Sequence, residues 1–295
     1  GGWSVSSAGD MNGDGIADLV TSSILADPAV GGRANGGTVY VIFGRKVTSS
    51  NVFANIDLST MPTGSAYGYK IIGAFADTQF GWTVSTAGDF NGDGVSDVII
   101  GSRVINPNIT AVAYVVFGKN DGVVTDVDLA MIISGSTRGF QMLGAWSTTY
   151  VGSTVSGAGD VNGDGVDDVV VGVYGANVGL ATSAGITYVI FGSRLPITTA
   201  YDNINLITRA TSQSTGFRIL GGKTNDQSGF AVSISGDING DGLSDIIVGA
   251  YQGDLPGRAS GGITYVIYGR KVTSPANAFT DISLASMTAG SAVGY

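Results

Sequence analysis

"GDMNGDGIADLV" occupies residues 9–20, and its first ten residues return three times, as "GDFNGDGVSD" at 88–97, "GDVNGDGVDD" at 159–168 and "GDINGDGLSD" at 236–245. The first Asp falls at 10, 89, 160 and 237, in steps of 79, 71 and 77 residues. Each copy crowds one Asn and three Asp around glycines, the third copy adding a fourth acid at Asp167, then turns apolar. Each also sits between the same neighbours. A strand such as "GWTVSTA" (81–87) or "GFAVSIS" (229–235) comes before it, and "DLVTSS", "DVIIGS", "DVVVGV" or "DIIVGA" comes after. A variable polar loop leads to a third strand: "TVYVIFG", "AVAYVVFG", "ITYVIFG" or "ITYVIYG". A fourth segment closes the unit: "GYKIIG", "GFQMLG" or "GFRILG".

A period in the seventies with four short strands per period marks a radial or stacked repeat. Four antiparallel strands make one propeller blade. One such sheet cannot cover both of its own faces, so neighbouring units must supply the cover. The expected fold is all-β, a β-propeller built as one repeat array over 1–295. Counted from the fourth segment, its approximate units are 1–67, 68–138, 139–215 and 216–291, with 292–295 beginning a further unit. The missing initiator Met and leader read as a mature form or fragment, and the short closing step reads as part of a longer array or ring.

Composition supports strands and narrows the chemistry. The chain has 295 residues, a net charge of −9, 48 Gly, no Cys and no His, and all 23 of its acids are Asp. Asp favours turns and caps, whereas the missing Glu favours helices, so almost no helix is expected. Without Cys there is no disulfide or thiolate chemistry. Without His the commonest general base and transition-metal ligand are gone. Acidity argues against a nucleic-acid backbone as partner. The apolar runs are too short to span a bilayer.

With the first Asp as position 1, oxygen donors stand at 1, 3, 5 and 9, with a backbone carbonyl at 7. Alternating hard oxygens on a glycine-broken loop suit Ca²⁺, which takes six to eight of them. Mg²⁺ prefers a tighter octahedral shell that keeps several waters. The candidate ligands are Asp10, Asn12, Asp14, Ile16 (carbonyl) and Asp18 in the first copy. In the second and third they are Asp89, Asn91, Asp93, Val95, Asp97 and Asp160, Asn162, Asp164, Val166, Asp168. In the fourth they are Asp237, Asn239, Asp241, Leu243 and Asp245. An EF-hand would need Glu at position 12, where Thr21, Ile100, Val171 and Val248 stand instead. A plain hairpin turn would need no acid at positions 1 and 9. About four Ca²⁺ are expected, one per repeat, and they would bring the net charge to about −1.

The aromatic-and-glycine lead-in, "GDxNGDGxxD" and the Tyr-Val third strand together resemble FG-GAP repeats, the blades of integrin α-subunit propellers and of many secreted or surface proteins. The resemblance implies a propeller, usually seven-bladed, with calcium on the hairpin between the first two strands. It also implies an extracellular or cell-surface setting. Two departures stand out: there are four units only, and Ser153 replaces the lead-in aromatic found as Trp3, Trp82 and Phe230.

If the calcium hairpins share one face, the loops 24–37, 104–111, 174–185 and 251–262 lie on the other, with 74–80, 145–151 and 222–228. These variable loops carry Arg33, Trp146, Tyr150, Tyr174, Lys223, Tyr251 and Arg258, the candidate ligand-binding residues. Asn108 opens an "NIT" glycosylation sequon. "GRKVTS" after the first and fourth third-strands reads as edge protection by charge. The expected function is a calcium-stabilised adhesion or binding module for a protein or glycan. The alternatives are a subunit of a surface sheath or filament that contacts copies of itself, and a non-catalytic propeller of a secreted carbohydrate- or lipid-active enzyme. Acids outside the motif ligands, such as Asp27, Asp77, Asp226 and Asp254, are candidates for catalysis, and nothing marks them for it.

Overall fold

The computed structural model describes the chain except residues 29–30, 49–54, 63, 104–111, 145–151, 195–200, 207–214, 256 and 288–292. Its regular structure is strand apart from isolated 3-10 turns. In blade one, β1 (Val5–Gly9), β2 (Asp18–Ser23), β3 (Thr38–Ile42) and β4 (Gly68–Ile72) pair antiparallel in sequence order. Blade two is β5 (Phe80–Gly88), β6 (Asp97–Ser102), β7 (Val112–Val116) and, beyond the short β8 (Val127–Asp128), β9 (Gly139–Leu143). Blade three is β10 (Thr154–Gly159), β11 (Asp168–Val173), β12 (Ile186–Ile190) and, beyond β13 (Ile204–Asn205), β14 (Gly216–Leu220). Blade four is β15 (Ser228–Gly236), β16 (Asp245–Ala250) and β17 (Ile263–Ile267), with β18 (Ile282–Ser283) further on. A fourth strand of this blade starts where Gly294 bridges Ile267.

Sheets therefore run across the unit boundaries counted from sequence. The segment at 68–72 closes the sheet begun at Val5. Each of the first three blades also holds a fifth strand that sequence reading missed. β8, β13 and β18 come from the stretch of chain that builds the following blade and pair parallel with β4, β9 and β14. A side chain just before each short strand clamps it. Asp126, Asn203 and Asp281 accept the backbone N–H of Lys70 (2.9 Å), Gln141 (3.1 Å) and Arg218 (3.0 Å).

Successive innermost strands pack together, β1 on β5, β5 on β10 and β10 on β15. Strand alternation sends neighbouring residues to opposite neighbours. Val98 and Ile100 face blade one, whereas Ile99 faces blade three. Three apolar clusters result, one at each blade boundary. The close approach explains glycines in the second strand. A Cβ at Gly101 or Gly172 would overlap the carbonyl of Gly152 or Gly229 in the next blade.

The "GRK" turns do not protect an edge. The Arg45 guanidinium lies 4.9 Å from the Tyr67 ring centroid. That of Arg270 lies 4.3 Å from the Phe279 centroid and donates to the Ala278 carbonyl. Charge that serves an aromatic ring and a part-buried carbonyl is part of the packing.

Candidate functional site

The four Asp-rich motifs form the β1–β2, β5–β6, β10–β11 and β15–β16 hairpins, all at one end of the sheets. Their local geometry is the same. In the first, Asp10 accepts the amides of Asp14 (3.1 Å) and Gly15 (2.7 Å). Asn12 accepts the Asp14 amide and Asp14 accepts the Ile16 amide. The loop thus curls around its own side-chain oxygens, and glycines at positive φ, such as Gly13 at 72° and Gly15 at 83°, permit the curl.

The last Asp of each motif has a role that sequence reading did not foresee. Asp97 is fully buried, and its two oxygens accept the amides of Phe90 (3.0 Å) and Gly118 (3.0 Å). Asp18 does the same for Met11 and Gly44, Asp168 for Val161 and Gly192, and Asp245 for Ile238 and Gly269. Each one straps its hairpin to the exit of the third strand.

Among the described residues, no three acidic side chains converge closely enough to form a ready-made metal centre. The donor chemistry nonetheless suits a hard divalent cation. Every one of these oxygens is a carboxylate or amide oxygen with a second lone pair beyond the amide it accepts. Burial pushes the carboxyls of Asp97 and Asp168 well above the usual range, and the neighbouring Asp charges add to it. Burial likewise pushes Asp18 up to about 6. Each loop therefore holds a buried acid and two more carboxylates that share backbone amide dipoles, an arrangement that a cation would relieve.

Neighbouring blades brace these hairpins. The Ser96 hydroxyl accepts the Asp10 amide (3.1 Å), and the Asp167 carboxylate accepts that of Asp89 (2.8 Å).

The opposite end carries the connecting loops. Their variable sequences share one skeleton. Gly73, Asp77 and Gln79 donate backbone N–H groups to Gly37, Ala34 and Asn35, and Gly221, Asn225 and Gln227 do so to Gly185, Thr182 and Ser183. The four candidate acids named from sequence accept hydrogen bonds within these loops. Asp27 accepts the Asn35 amide, Asp77 the Asn35 side chain, Asp226 the Lys223 amide and Asp254 the Ser260 amide. Arg33, a candidate ligand contact, is likewise committed. It donates to the Gly73 carbonyl and holds Asp128 with two hydrogen bonds of 2.6 and 3.1 Å. Lys223 and Arg258 are exposed and Tyr174 is half-buried. Trp146, Tyr150 and Asn108 lie outside the described residues.

What the structure does bring together is a rim of rings. Trp3 and Trp82 lie with centroids 4.6 Å apart, and the Arg103 guanidinium sits 4.6 Å over Trp82. Phe230 contacts Tyr251 at 4.2 Å and Tyr174 at 5.1 Å. Trp3, Phe230 and Tyr251 are 55%, 42% and 46% exposed. The lead-in aromatic and the residue just past the second strand meet at this rim. Aligning those two positions across the repeats would have singled out Arg103.

The FG-GAP repeat family model matches residues 1–42, 80–104, 151–190 and 228–267. Bovine phosphatidylinositol-glycan-specific phospholipase D is 29% identical over 181 residues, 60% of this chain and 19% of that protein. Integrin alpha pat-2 of Caenorhabditis briggsae is 31% identical over 40% of this chain and 9% of its own length. Bovine integrin alpha-2 is 35% identical over 35% of this chain and 8% of its own. The chain thus spans under a fifth of each of these relatives. Repeated motif, blade topology and family match agree: the chain is an integrin-α-like FG-GAP repeat protein.

Proposed function

We propose that this chain is an extracellular, calcium-stabilised propeller module that binds a protein or glycan ligand on the loop end. The aromatic rim carries the reading. Soluble domains rarely leave large rings exposed together, and such clusters mark contact sites. Rings and an Arg on rigid strand ends offer stacking and hydrogen bonding at low entropic cost. The relatives support a surface or secreted setting, since integrins and a phosphatidylinositol-glycan-specific phospholipase D are among them.

Calcium would serve the scaffold, held by the Asp and Asn oxygens and the position-7 carbonyls of each hairpin. The role is structural, because the hairpins lie at the end opposite the rim. Catalysis is not expected: Cys, His and Glu are absent, and the leftover Asp side chains lock loops.

Glycan and matrix-protein arrays probed with and without calcium test the reading. Trp3→Ala with Trp82→Ala, or Phe230→Ala, should abolish the captured ligand at unchanged circular dichroism. Binding that survives all three substitutions places the ligand elsewhere. Isothermal titration should find about four calcium sites, and a melting curve unmoved by excess chelator removes the structural role.

A further inference from the structure

The Asp-rich hairpins of blades two and three, the β5–β6 and β10–β11 turns, each stand between two blades of this chain, and the blade that follows covers them with different charge. One cover comes from the eighth position of the following motif, where Ser96, Asp167 and Ser244 stand over the first, second and third hairpins. A Cβ on Gly9, Gly88 or Gly159, at the mouths of those hairpins, would strike that side chain. Over the first and third hairpins the cover is a neutral hydroxyl. Over the second it is the Asp167 carboxylate, which accepts the Asp89 amide at 2.8 Å. Asp167 belongs to the third hairpin by sequence, yet its charge is turned to the second. There it adds a fourth acid to Asp89, Asp93 and Asp97.

A second cover is the residue two places past the glycine that follows each third strand. Asn120, Arg194 and Lys271 lie on Gly13, Gly92 and Gly163, at the fourth position of the first, second and third hairpins. The Arg194 stem rests on Gly92. Its guanidinium reaches on to the third hairpin and donates to the Gly165 carbonyl at 2.9 Å. The third hairpin therefore has one cation at its sixth position and a second, Lys271, against its fourth. It is also the wetter of the two, with Asp164 exposed where Asp93 is half-buried.

We propose that Asp167, Arg194 and Lys271 make the cation sites of blades two and three unequal, so that the second hairpin fills at lower calcium than the third. This rests on the calcium reading given under the proposed function and adds which site fills first and which side chains decide it. A unit charge about 6 Å from a divalent ion changes its affinity about tenfold even at the dielectric of water. An ion in the second hairpin gains from Asp167, and one in the third loses to Arg194 and Lys271. None of the three residues is among the motif's own oxygen donors, so affinity is set by the neighbouring turns while the donor set stays constant.

Amide NMR of the glycine-labelled 295-residue chain, titrated with calcium chloride at low salt, reads the two sites separately through Gly94 and Gly165, at the sixth position of each hairpin. The expected result is a Gly94 midpoint about tenfold or more below that of Gly165. The gap should narrow in high salt, which screens part-exposed charges. Asp167→Asn keeps an oxygen for the Asp89 amide and removes the charge. It should raise the Gly94 midpoint about tenfold and move that of Gly165 less. Lys271→Gln should lower the Gly165 midpoint severalfold and leave Gly94 in place. Should Asp167→Asn fail to fold, Asp167→Ser, the residue that blades two and four carry at this position, must give the same rise. Equal or reversed midpoints in the parent, or midpoints that neither substitution moves, overturn the proposal and leave the calcium reading standing. Hairpin glycines that calcium does not shift at all remove both.

Discussion

Replacing Gly172 by Ala should be costly, and replacing Gly249 by Ala should not, although both are strand glycines at the same repeat position. A Cβ at Gly172 lands 3.1 Å from the Gly229 carbonyl carbon and closer still to its oxygen and to the Thr154 hydroxyl. Blade four must withdraw, and the 2.7 Å hydrogen bond from Thr154 to Gly229 breaks. Overpacking a close-packed boundary costs about 1–3 kcal/mol, and the lost hydrogen bond adds about 1 kcal/mol. Removing a flexible glycine from a strand returns about 0.5–1 kcal/mol. The net loss is about 1–3.5 kcal/mol. At Gly249 the steric and hydrogen-bond costs vanish, so Ala should be neutral or stabilise by up to about 1 kcal/mol. Urea unfolding of the two variants beside the parent, followed by circular dichroism, measures the difference. Because array stability is a sum of unit and boundary contributions, Gly172→Ala should loosen the boundary between blades three and four first. Equal midpoints for the two variants would refute the blade packing described above.

Three further outcomes follow from named contacts. Asp97→Asn leaves the amide of Phe90 or Gly118 without an acceptor in a buried site, and stability should fall by about 1–3 kcal/mol. The loss should persist in excess chelator, and a loss seen only with calcium present would show Asp97 acting as a ligand alone. Burial raises the carboxyl of Asp226, against the lowering effect of the Lys223 amide. Its folded value lies above the free-chain one, so the stability it contributes is present below about pH 4 and is lost as the pH rises through the folded value. Asp226→Asn should therefore flatten part of that slope, and melts of parent and variant that stay parallel from pH 3 to 7 would contradict it. A double-mutant cycle on Arg33 and Asp128 should return a coupling of about 1–2 kcal/mol, given a bidentate, half-buried pair. A coupling near zero would reduce it to a surface ion pair.

The hairpins and first three strands of every blade were legible because their signals are local. Glycine-rich turns and alternating apolar residues announce themselves within a dozen positions. The fifth strands were not legible. "VDL" at 127–129 offers two paired residues, and their partners Ile71 and Ile72 stand more than fifty residues earlier in the strand that closes blade one, so only the packed fold specifies the pairing. Distance in sequence also hid the use of Arg33, whose partner Asp128 stands 95 residues away. The Asp-rich motif invited a purely chelating interpretation. That the last Asp also straps the hairpin follows from its burial, which only the assembled blade creates. The loop-locking use of two of these acids had a detectable signal: Asp27 and Asp254, like Asn177 in the third blade, precede Asn35, Ser260 and Ser183 by six to eight residues, and each accepts the later amide.

The borrowed strands put the molecule on a timetable. When the ribosome has delivered β4, sheet one still has an open edge, and the piece that covers it begins at Val127. At about 5–20 residues per second the nascent chain waits roughly 3–11 seconds for that cover. The same interval recurs when β9 awaits Ile204 and β14 awaits Ile282. At every stage of synthesis one sheet edge stands bare, and it always belongs to the newest blade. Slow codons or a holding chaperone would matter most just after each fourth strand emerges, where a pause prolongs the exposure of that edge.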